Sequence, residues 1–285
     1  MAVAEHVGID DVVRALRSRS VTALTGAGMS TDSGIPDYRG PGSPPRNPMT
    51  YQQFVSDPAM RRHYWARNHV GWRRVDDVVP NAGHTALARL EDAGVLRGVI
   101  TQNVDRLHTR AGSRDVVDLH GTYASVVCLS CGDVSSRAEL AMRLTALNPG
   151  FAEVTEVADA EIAPDADAVV ASTEGFRVAE CLVCGGVLKP DIVFFGENVP
   201  KPRVARAYAT VDAAEVLLVA GSSLTVMSGL RFVRHAARTG RPVVIVNRGW
   251  TRGDELATLK LDAGCSQVLT AVADRLAGAG ATVTR

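Results

Sequence analysis

The chain has 285 residues, of which 46% are hydrophobic, so it is long enough to bury one large core or two smaller ones. Its 31 basic and 31 acidic residues cancel, which gives no electrostatic reason to expect nucleic acid or an anionic membrane as a partner. No apolar run is long enough to span a bilayer and the start of the chain does not resemble a signal peptide, so we expect a soluble, cytoplasmic protein.

The first predicted elements are a helix, a strand and a glycine turn. Apolar residues at helical spacing predict a helix over 10–19, and a β-branched run predicts a strand over 21–25. The strand leads into the glycine turn 26–28, and residues 29–33 could open a helix. This order of elements suits a phosphate, because glycine lets the backbone approach the anion and a helix start offers unpaired N–H groups. A lone GxG is a weak signal, so an ordinary turn is the competing interpretation.

A long loop and an aromatic segment come next. The loop contains GIPDYRG at 34–40 and four prolines soon after, and its charged and phenolic groups favour a lid over a ligand. In the segment 51–72, Pro58 predicts a division into two short helices. Tyr64 and Arg67 are three residues apart and share a helix face. Either Tyr64 packs a small helical module while Arg67 meets solvent, or both point into a substrate channel.

Two consecutive predicted strands end in polar residues. Asn81 is a good N-cap for a helix that Gly94 ends, and strands over 99–101 and 116–119 follow. The polar residues at the ends of these strands are Gln102, Asn103, Asp105 and His120. Ligands of open α/β sheets lie beyond the carboxyl ends of the strands, so the two placements together predict a site.

Four of the five cysteines form two CxxC pairs, each followed by glycine. They are Cys128, Cys131, Cys181 and Cys184. This spacing is typical of zinc knuckles, and four protein thiolates leave no open position for water, so we expect one structural zinc ion and not redox chemistry. Residues 151–180, between the pairs, contain eight acidic residues and one basic residue, which indicates an elaborated insertion.

The rest of the chain alternates strands and helices. We expect strands over 187–195, 215–220 and 242–246, and helices over 203–214 and 229–239. The first strand is expected to return the chain to the sheet, and the other two end in candidate ligand turns at 221–223 and 247–249. The alternation predicts an α/β fold with a doubly wound, Rossmann-like parallel sheet. We assign 1–48, 80–122 and 187–285 to this domain, 49–79 to an inserted helical module and 123–186 to a zinc-ribbon module.

Several motifs resemble the signature of the sirtuins, the NAD-dependent protein deacylases. They are GAGMSTDSGIPDYRG at 26–40, TQNVD at 101–105, HG at 120–121, the two CxxC pairs, KPDIVFFGE at 189–197 and GSSL at 221–224. Together they span nearly the whole chain in the order of the family. The resemblance implies NAD as cofactor and acylated-lysine proteins or peptides as substrates. We also expect a monomer.

The resemblance implies a cofactor role for a set of residues. The pyrophosphate turn matches Gly26, Ala27, Gly28 and Ser30, and the cofactor loop matches Asp37, Tyr38 and Arg39. The nicotinamide and ribose pocket matches Gln102, Asn103, Val104 and Asp105. The adenosine side matches Gly221, Ser222, Ser223, Asn247, Arg248 and Gly249, and Cys265 lies where the family closes over adenine through a backbone N–H. The alternative for Cys265 is a small buried apolar residue.

The resemblance also implies the chemistry. The acyl oxygen of the substrate lysine attacks the ribose as nicotinamide leaves, and the acyl group passes to ADP-ribose. His120 would act as general base through the ribose hydroxyls, with Asn103 as its catalytic neighbour. The substrate peptide would be added as a β-strand beside Val193, Phe195, Gly196 and Glu197. Without the resemblance, a lone histidine after a strand would more often be structural.

The acyl group is the open question. Tyr64 and Arg67 match the Tyr-x-x-Arg pair of sirtuins that remove acidic acyl groups, whereas HYWARNHVGW is closer to the mitochondrial class II lipoamidase and ADP-ribosyltransferase type. We therefore expect deacylation broader than acetyl. A protein mono-ADP-ribosyltransferase is the main alternative, and an NAD-sensing zinc-ribbon module without enzyme activity is another. A dehydrogenase is disfavoured because the GAGMS turn lacks the complete dinucleotide fingerprint.

Overall fold

The computed structural model describes residues 7–37, 48–151 and 172–278, except for the side chains of residues 73–75. Within these ranges the helices are α1 (Ile9–Leu16), α2 (Tyr51–Ser56), α3 (Pro58–Asp77), α4 (Ala82–Asp92), α5 (Leu107–Arg110), α6 (Arg137–Leu147), α7 (Lys201–Asp212), α8 (Met227–Arg238) and α9 (Cys265–Leu276). The strands are β1 (Val21–Thr25), β2 (Leu96–Thr101), β3 (Val116–Asp118), β4 (Gly121–Cys128), β5 (Val134–Ser136), β6 (Leu188–Ile192), β7 (Val216–Ala220), β8 (Val243–Val246) and β9 (Leu259–Leu261).

The larger sheet has six strands in the order β3-β2-β1-β7-β8-β9, and all of its pairings are parallel. Every residue of β1, β7 and β8 is buried, as expected for central strands that are covered on both faces. The order of the strands reverses at β1, which pairs with β2 on one side and β7 on the other. The predicted Rossmann-like sheet is confirmed, and β1/β7 is the point where such sheets bind ligands.

Helices cover both faces of this sheet. On one face, α1, α4 and α9 pack their apolar sides on the strands, with Leu16, Leu87 and Leu269 fully buried. On the other face, α7 and α8 contribute Val211 and Phe232 to a second buried cluster. The two clusters hold the sheet between layers of helix, so the ends of the strands have a fixed position.

A smaller module lies apart from these two clusters. Its antiparallel sheet has the order β5-β4-β6, and its aromatic core includes Phe54, Trp65 and Tyr123. The expectation that residues 187–195 return to the large sheet is wrong, because β6 pairs with β4. The two CxxC turns explain this pairing: they lie side by side, so the strand that leaves the second turn begins next to the strand that enters the first.

Other local predictions are confirmed or refined. Asn81 accepts hydrogen bonds from the first backbone amides of α4, and Gly94 follows that helix at a φ of +73°. Pro58 separates α2 from α3, but α3 runs for 20 residues because proline is tolerated in the first turn of a helix. Residues 29–33 form no α-helix; two 3₁₀ turns, Ala27–Met29 and Thr31–Ser33, take its place.

Among the helices of the described ranges, none has the length and apolar character that a membrane crossing requires.

Candidate active site

Two glycine turns pack against each other where the sheet reverses. The Gly28 amide, after β1, donates a 2.9 Å hydrogen bond to the carbonyl of Gly221, after β7. A Cβ on Gly26 would lie 2.8 Å from the Cβ of Ser222, and Gly221 has a φ of +63° with no room for a side chain against Met29. The turns 26–28 and 221–222 therefore form a surface of backbone without large side chains at the carboxyl ends of β1 and β7, here called the glycine floor. This surface suits the close approach of a phosphate.

Polar side chains from the end of β2 connect to both turns. The Gln102 Nε2 donates to the Ser222 hydroxyl at 2.8 Å, and the Asn103 Nδ2 donates to the Ser30 hydroxyl at 3.0 Å. The Ser30 hydroxyl in turn donates to Asp105 Oδ2 at 2.7 Å. Burial raises the pKa of the Asp105 carboxyl, although the hydrogen bond from Ser30 acts in the opposite direction. The network fixes these amides and this carboxyl beside the floor.

His120 stands at the end of β3, on the wall of the same cleft. Its Nδ1 lies 2.9 Å from the Gln102 carbonyl, and its Nε2 lies 2.7 Å from the Ser228 hydroxyl at the start of α8. Burial lowers the pKa of the imidazole to about 4; the Gln102 carbonyl opposes this, and the charges of Arg203 and Arg231 lower it further. At neutral pH the ring is thus an unprotonated base.

These groups line one cleft of about 810 Å³. All residues predicted for the pyrophosphate turn, the nicotinamide and ribose pocket, and the adenosine side line it, apart from Cys265; Asp37 lines it too. The predicted contacts Tyr38 and Arg39 lie outside the described residues, as does most of the acidic insertion. A cleft of this volume, with a glycine floor and amide, hydroxyl and carboxyl groups on its walls, fits a dinucleotide.

Cys265 lies away from the cleft lining. Its thiol is buried in the core cluster under the sheet and approaches the Val246 carbonyl at 3.6 Å. Burial raises the pKa of this thiol to about 12. The side chain thus behaves as the small buried group that the alternative interpretation described.

Tyr64 and Arg67 both line the cleft, from α3. The Tyr64 ring is also packed in the aromatic core, edge-on to Phe54 at a centroid distance of 5.4 Å and 5.2 Å from Phe194. The Arg67 Nη1 lies 3.2 Å from Nε2 of His63, a cleft residue that the sequence did not indicate. Burial, and then the charge of Arg67, lowers the pKa of His63. The imidazole is therefore an acceptor for the guanidinium.

The segment predicted to bind the peptide also lines the cleft. The Val193 amide donates to the carbonyl of His120 at 2.7 Å, so this segment is joined directly to the histidine. The Phe195 carbonyl accepts from the Tyr51 amide at 2.9 Å, and Gly196 turns the chain at a φ of +80°. The segment therefore connects the small module to the large sheet.

A buried lysine holds this segment from behind. The Lys189 Nζ donates to the Ile192 carbonyl and lies 3.2 Å from Glu197 Oε2, and its side chain is only 4% exposed. The same carboxylate accepts from the Phe194 amide at 2.8 Å. Glu197 was predicted to touch substrate, and its carboxylate also closes the turn that presents the segment.

The four predicted metal ligands meet at one point. Their sulfur atoms all lie within 4.8 Å of one another, with Cys128 3.6 Å from Cys184 and Cys131 3.8 Å from Cys181. Four thiolates at about 2.3 Å from a tetrahedral zinc ion would be separated by about 3.8 Å, so the donor set suits a structural zinc. Each knuckle also points a backbone amide at a sulfur, from Ser130 and from Val183.

Further cleft residues could not be found from the sequence. Ser228, Arg231 and Trp250 line the cleft, and the Trp250 side chain is 71% exposed. Ser228 and Arg231 lie in the first turns of α8, which begins shortly after the GSSL motif. Only the position of the helix in the sequence pointed to these residues. A helix that starts above the carboxyl edge of a sheet brings its first residues to the ligand.

Known proteins resemble the chain over almost its full length. The model of the Sir2 family matches residues 26–228. The chain is 66% identical to NAD-dependent protein deacetylase 1 of Mycobacterium avium (strain 104), over 93% of this chain and 95% of that protein. It is 56% identical to NAD-dependent protein deacetylase 1 of Streptomyces coelicolor, over 93% of this chain and 89% of that protein.

Solved structures of Sir2 proteins have a fold similar to that of this chain. A Sir2 complex with a p53 peptide and NAD+ is similar with a TM-score of 0.73 and 32% identity, covering 97% of this chain and 100% of that chain. A Sir2 structure with a propionylated peptide has a TM-score of 0.73 and 30% identity, covering 94% of this chain and 98% of that chain.

Proposed function

The chain belongs to the Sir2 family, and from that premise we propose that it is an NAD-dependent protein lysine deacylase that accepts acidic and longer acyl groups besides acetyl. The relatives named as NAD-dependent protein deacetylases support the reaction class. The observation that carries the proposal is the position of His120, which lines the same cleft as the glycine floor and is bonded through its carbonyl to Val193.

Each group around the floor has a task in this reaction. Bound NAD would supply the ribose carbon from which nicotinamide leaves. The backbone of the turns after β1 and β7 would receive the pyrophosphate, and the Gln102, Asn103 and Asp105 network would orient the nicotinamide end. The neutral His120 imidazole would take a proton from a ribose hydroxyl, which turns that oxygen into a nucleophile toward the transferred acyl group.

The peptide would enter from the small module. The segment Val193–Gly196 would pair with the substrate backbone as an added strand, a mode that recognises main chain more than sequence. This arrangement would bring the acylated lysine into the cleft beside His120. Broad peptide specificity is the expected consequence.

Tyr64 and Arg67 support the extension to acidic acyl groups. Both side chains line the cleft, and the guanidinium is oriented by His63 at 3.2 Å. A planar guanidinium fits a carboxylate with two hydrogen bonds, and the Tyr64 phenol would add a third donor. The likeness of the α3 sequence to the class II lipoamidase type supports longer acyl groups in the same channel.

The test uses one peptide sequence that carries acetyl-, succinyl-, glutaryl- or lipoyl-lysine. Nicotinamide release and the mass of the products are measured for the native protein and for His120→Gln. We expect O-acyl-ADP-ribose as product and loss of at least ~100-fold in rate in the variant, as for removal of a positioned base. A protein that gains ADP-ribose would indicate the transferase, and acetyl strongly preferred over every other group would contradict the broad acyl range.

Arg67→Met tests the acyl channel separately. Loss of a charge-assisted contact worth about 2 kcal/mol corresponds to a ~30-fold decrease in kcat/KM for succinyl and glutaryl peptides. The rate with acetyl peptide should change much less. Arg62→Met is the matched control, since Arg62 is an exposed arginine of the same helix outside the cleft lining. Equal losses for acidic and neutral acyl groups would contradict the assignment.

A further inference from the structure

Both ring nitrogens of His120 are occupied by hydrogen bonds. A carbonyl only accepts, so the 2.9 Å contact with the Gln102 carbonyl requires the hydrogen on Nδ1. The neutral imidazole then has its single lone pair on Nε2, and the Ser228 hydroxyl, at 2.7 Å, must donate to it. The nitrogen that would act as base therefore has Ser228 as its partner before any ligand arrives.

The backbone sets the position of Ser228. It is the second residue of α8, is 8% exposed, and lies 108 positions from His120 in the sequence. The next residue, Gly229, presses the helix against Gln102, because a Cβ there would lie 2.6 Å from Gln102 Oε1. The start of α8 is thus packed against Gln102, so the groups that bond Nδ1 and Nε2 are fixed relative to each other.

The Ser228 hydroxyl bonds to another element and not to its own helix. As the second residue of α8, Ser228 has no preceding helical turn whose carbonyl oxygens could accept from it. Its hydroxyl is directed to the imidazole of His120, so the contact joins the start of α8 directly to the ring.

We propose that Ser228 is a positioning residue for His120, which holds the Nε2 side of the ring in place and yields this nitrogen to a ribose hydroxyl when NAD binds. The Gln102 carbonyl selects the tautomer, because it keeps the hydrogen on Nδ1. This inference rests on the base role proposed above for His120. The exchange keeps one hydrogen bond at Nε2: the ribose O–H replaces the Ser228 O–H there, and the proton that later transfers comes from the ribose. Ser228 keeps its own hydrogen throughout.

The kinetic test compares Ser228→Ala, Ser228→Thr and both changes in a His120→Gln background. We expect Ser228→Ala to lower kcat for deacylation about tenfold, a fraction of the ~100- to 10,000-fold that a positioned base contributes, with the KM for NAD changed less than about twofold. Ser228→Thr retains the hydroxyl and should retain most of the rate. In the His120→Gln background neither change should matter, because a residue that acts through the imidazole has no effect without it.

A second readout needs no NAD. Diethyl pyrocarbonate modifies unprotonated imidazole nitrogen, and peptide mass gives the rate at His120 in the ligand-free protein. Exposure of the lone pair in Ser228→Ala should raise that rate about 2- to 10-fold, the equivalent of one net hydrogen bond. Ser228→Thr should match the native protein. Thr239→Val, at the other end of α8, controls for loss of a helix hydroxyl and should change neither readout.

The outcomes separate the two proposals. An unchanged modification rate in Ser228→Ala, or an equal loss of activity with and without His120, would overturn the role of Ser228 while the base role of His120 stands. Native activity in His120→Gln would overturn the base role itself and, with it, this inference.

Discussion

His120 shows how burial can keep a single side chain unprotonated, which its proposed role as a base requires. An exposed imidazole is half protonated near pH 6.5, whereas burial among uncharged groups, with the charges of Arg203 and Arg231 nearby, lowers the pKa of His120 to about 4. The imidazole is a weaker base than an exposed one, but nearly every molecule carries it in the unprotonated form at neutral pH. The Gln102 carbonyl then selects the nitrogen that keeps the proton.

The pH profile of deacylation should reflect this environment. Because the base must be unprotonated and its pKa is lowered, kcat/KM should persist as pH falls through 6.5 and decline only at lower pH. Arg203→Gln removes a positive charge that disfavours protonation, so it should move the acid limb upward by a few tenths of a pH unit. Arg206→Gln, one turn further along α7 and paired with Asp115, is the control. An acid limb at or above pH 6.5 in the native protein would contradict the argument.

At the scale of the element, the segment from β6 to Glu197 links the two parts of the site. The strand belongs to the small sheet, its continuation bonds to His120 through Val193, and Lys189 fixes the turn from inside. A buried ammonium needs a partner, and Glu197 provides its carboxylate. The shape of the edge that we propose for peptide binding thus depends on the ion pair between Lys189 and Glu197.

Glu197→Gln should separate peptide binding from cofactor binding. The amide oxygen could still accept from the Phe194 amide, but the Lys189 ammonium would lose its counter-charge. We expect the KM for peptide to rise about tenfold and the free energy of unfolding to fall by about 2 kcal/mol, with the KM for NAD nearly unchanged. Asp274→Asn breaks an exposed pair with Arg89 outside the cleft lining and is the control. Equal effects on both KM values would contradict this division.

At the scale of the whole molecule, two separate cores meet at one cleft. The large sheet supplies the floor and His120, whereas the aromatic core of the small module supplies α3 and the segment after β6. Two of the four metal-site cysteines, Cys128 and Cys181, are buried in the core of the small module, and the exposed Cys131 and Cys184 lie beside them. Zinc would therefore stabilise the half of the cleft that is proposed to receive the peptide.

Loss of the metal should weaken peptide binding before cofactor binding. Cys184→Ser should reduce bound zinc from one ion per chain to none, with a marked loss of peptide affinity. The dissociation constant for NAD, measured by calorimetry, should change less than about threefold, because the glycine floor rests on a different core. Cys265→Ala is the cysteine control and should retain the metal. Parallel loss of both affinities would show that the two cores are not independent.

The sequence predicted the parts of the fold that repeat a local pattern. The buried apolar runs of β1, β7 and β8 and the glycines that follow β1 and β7 were sufficient to locate the floor of the cleft. The partner of β6 was not predictable, because the sequence of a single strand does not specify which sheet it joins. Ser228 was missed for a similar reason: its contact with His120 depends on a meeting in space, and a lone serine carries no pattern.

Because Cys265 is buried, a thiol reagent can follow the four metal-site cysteines alone. Its thiol is 5% exposed and its pKa is raised to about 12, so a colorimetric disulfide reagent at neutral pH would find almost no thiolate there. Any colour would report the knuckle cysteines alone. The thiol reaction of the folded protein thus measures zinc release directly, because the fifth cysteine adds no background.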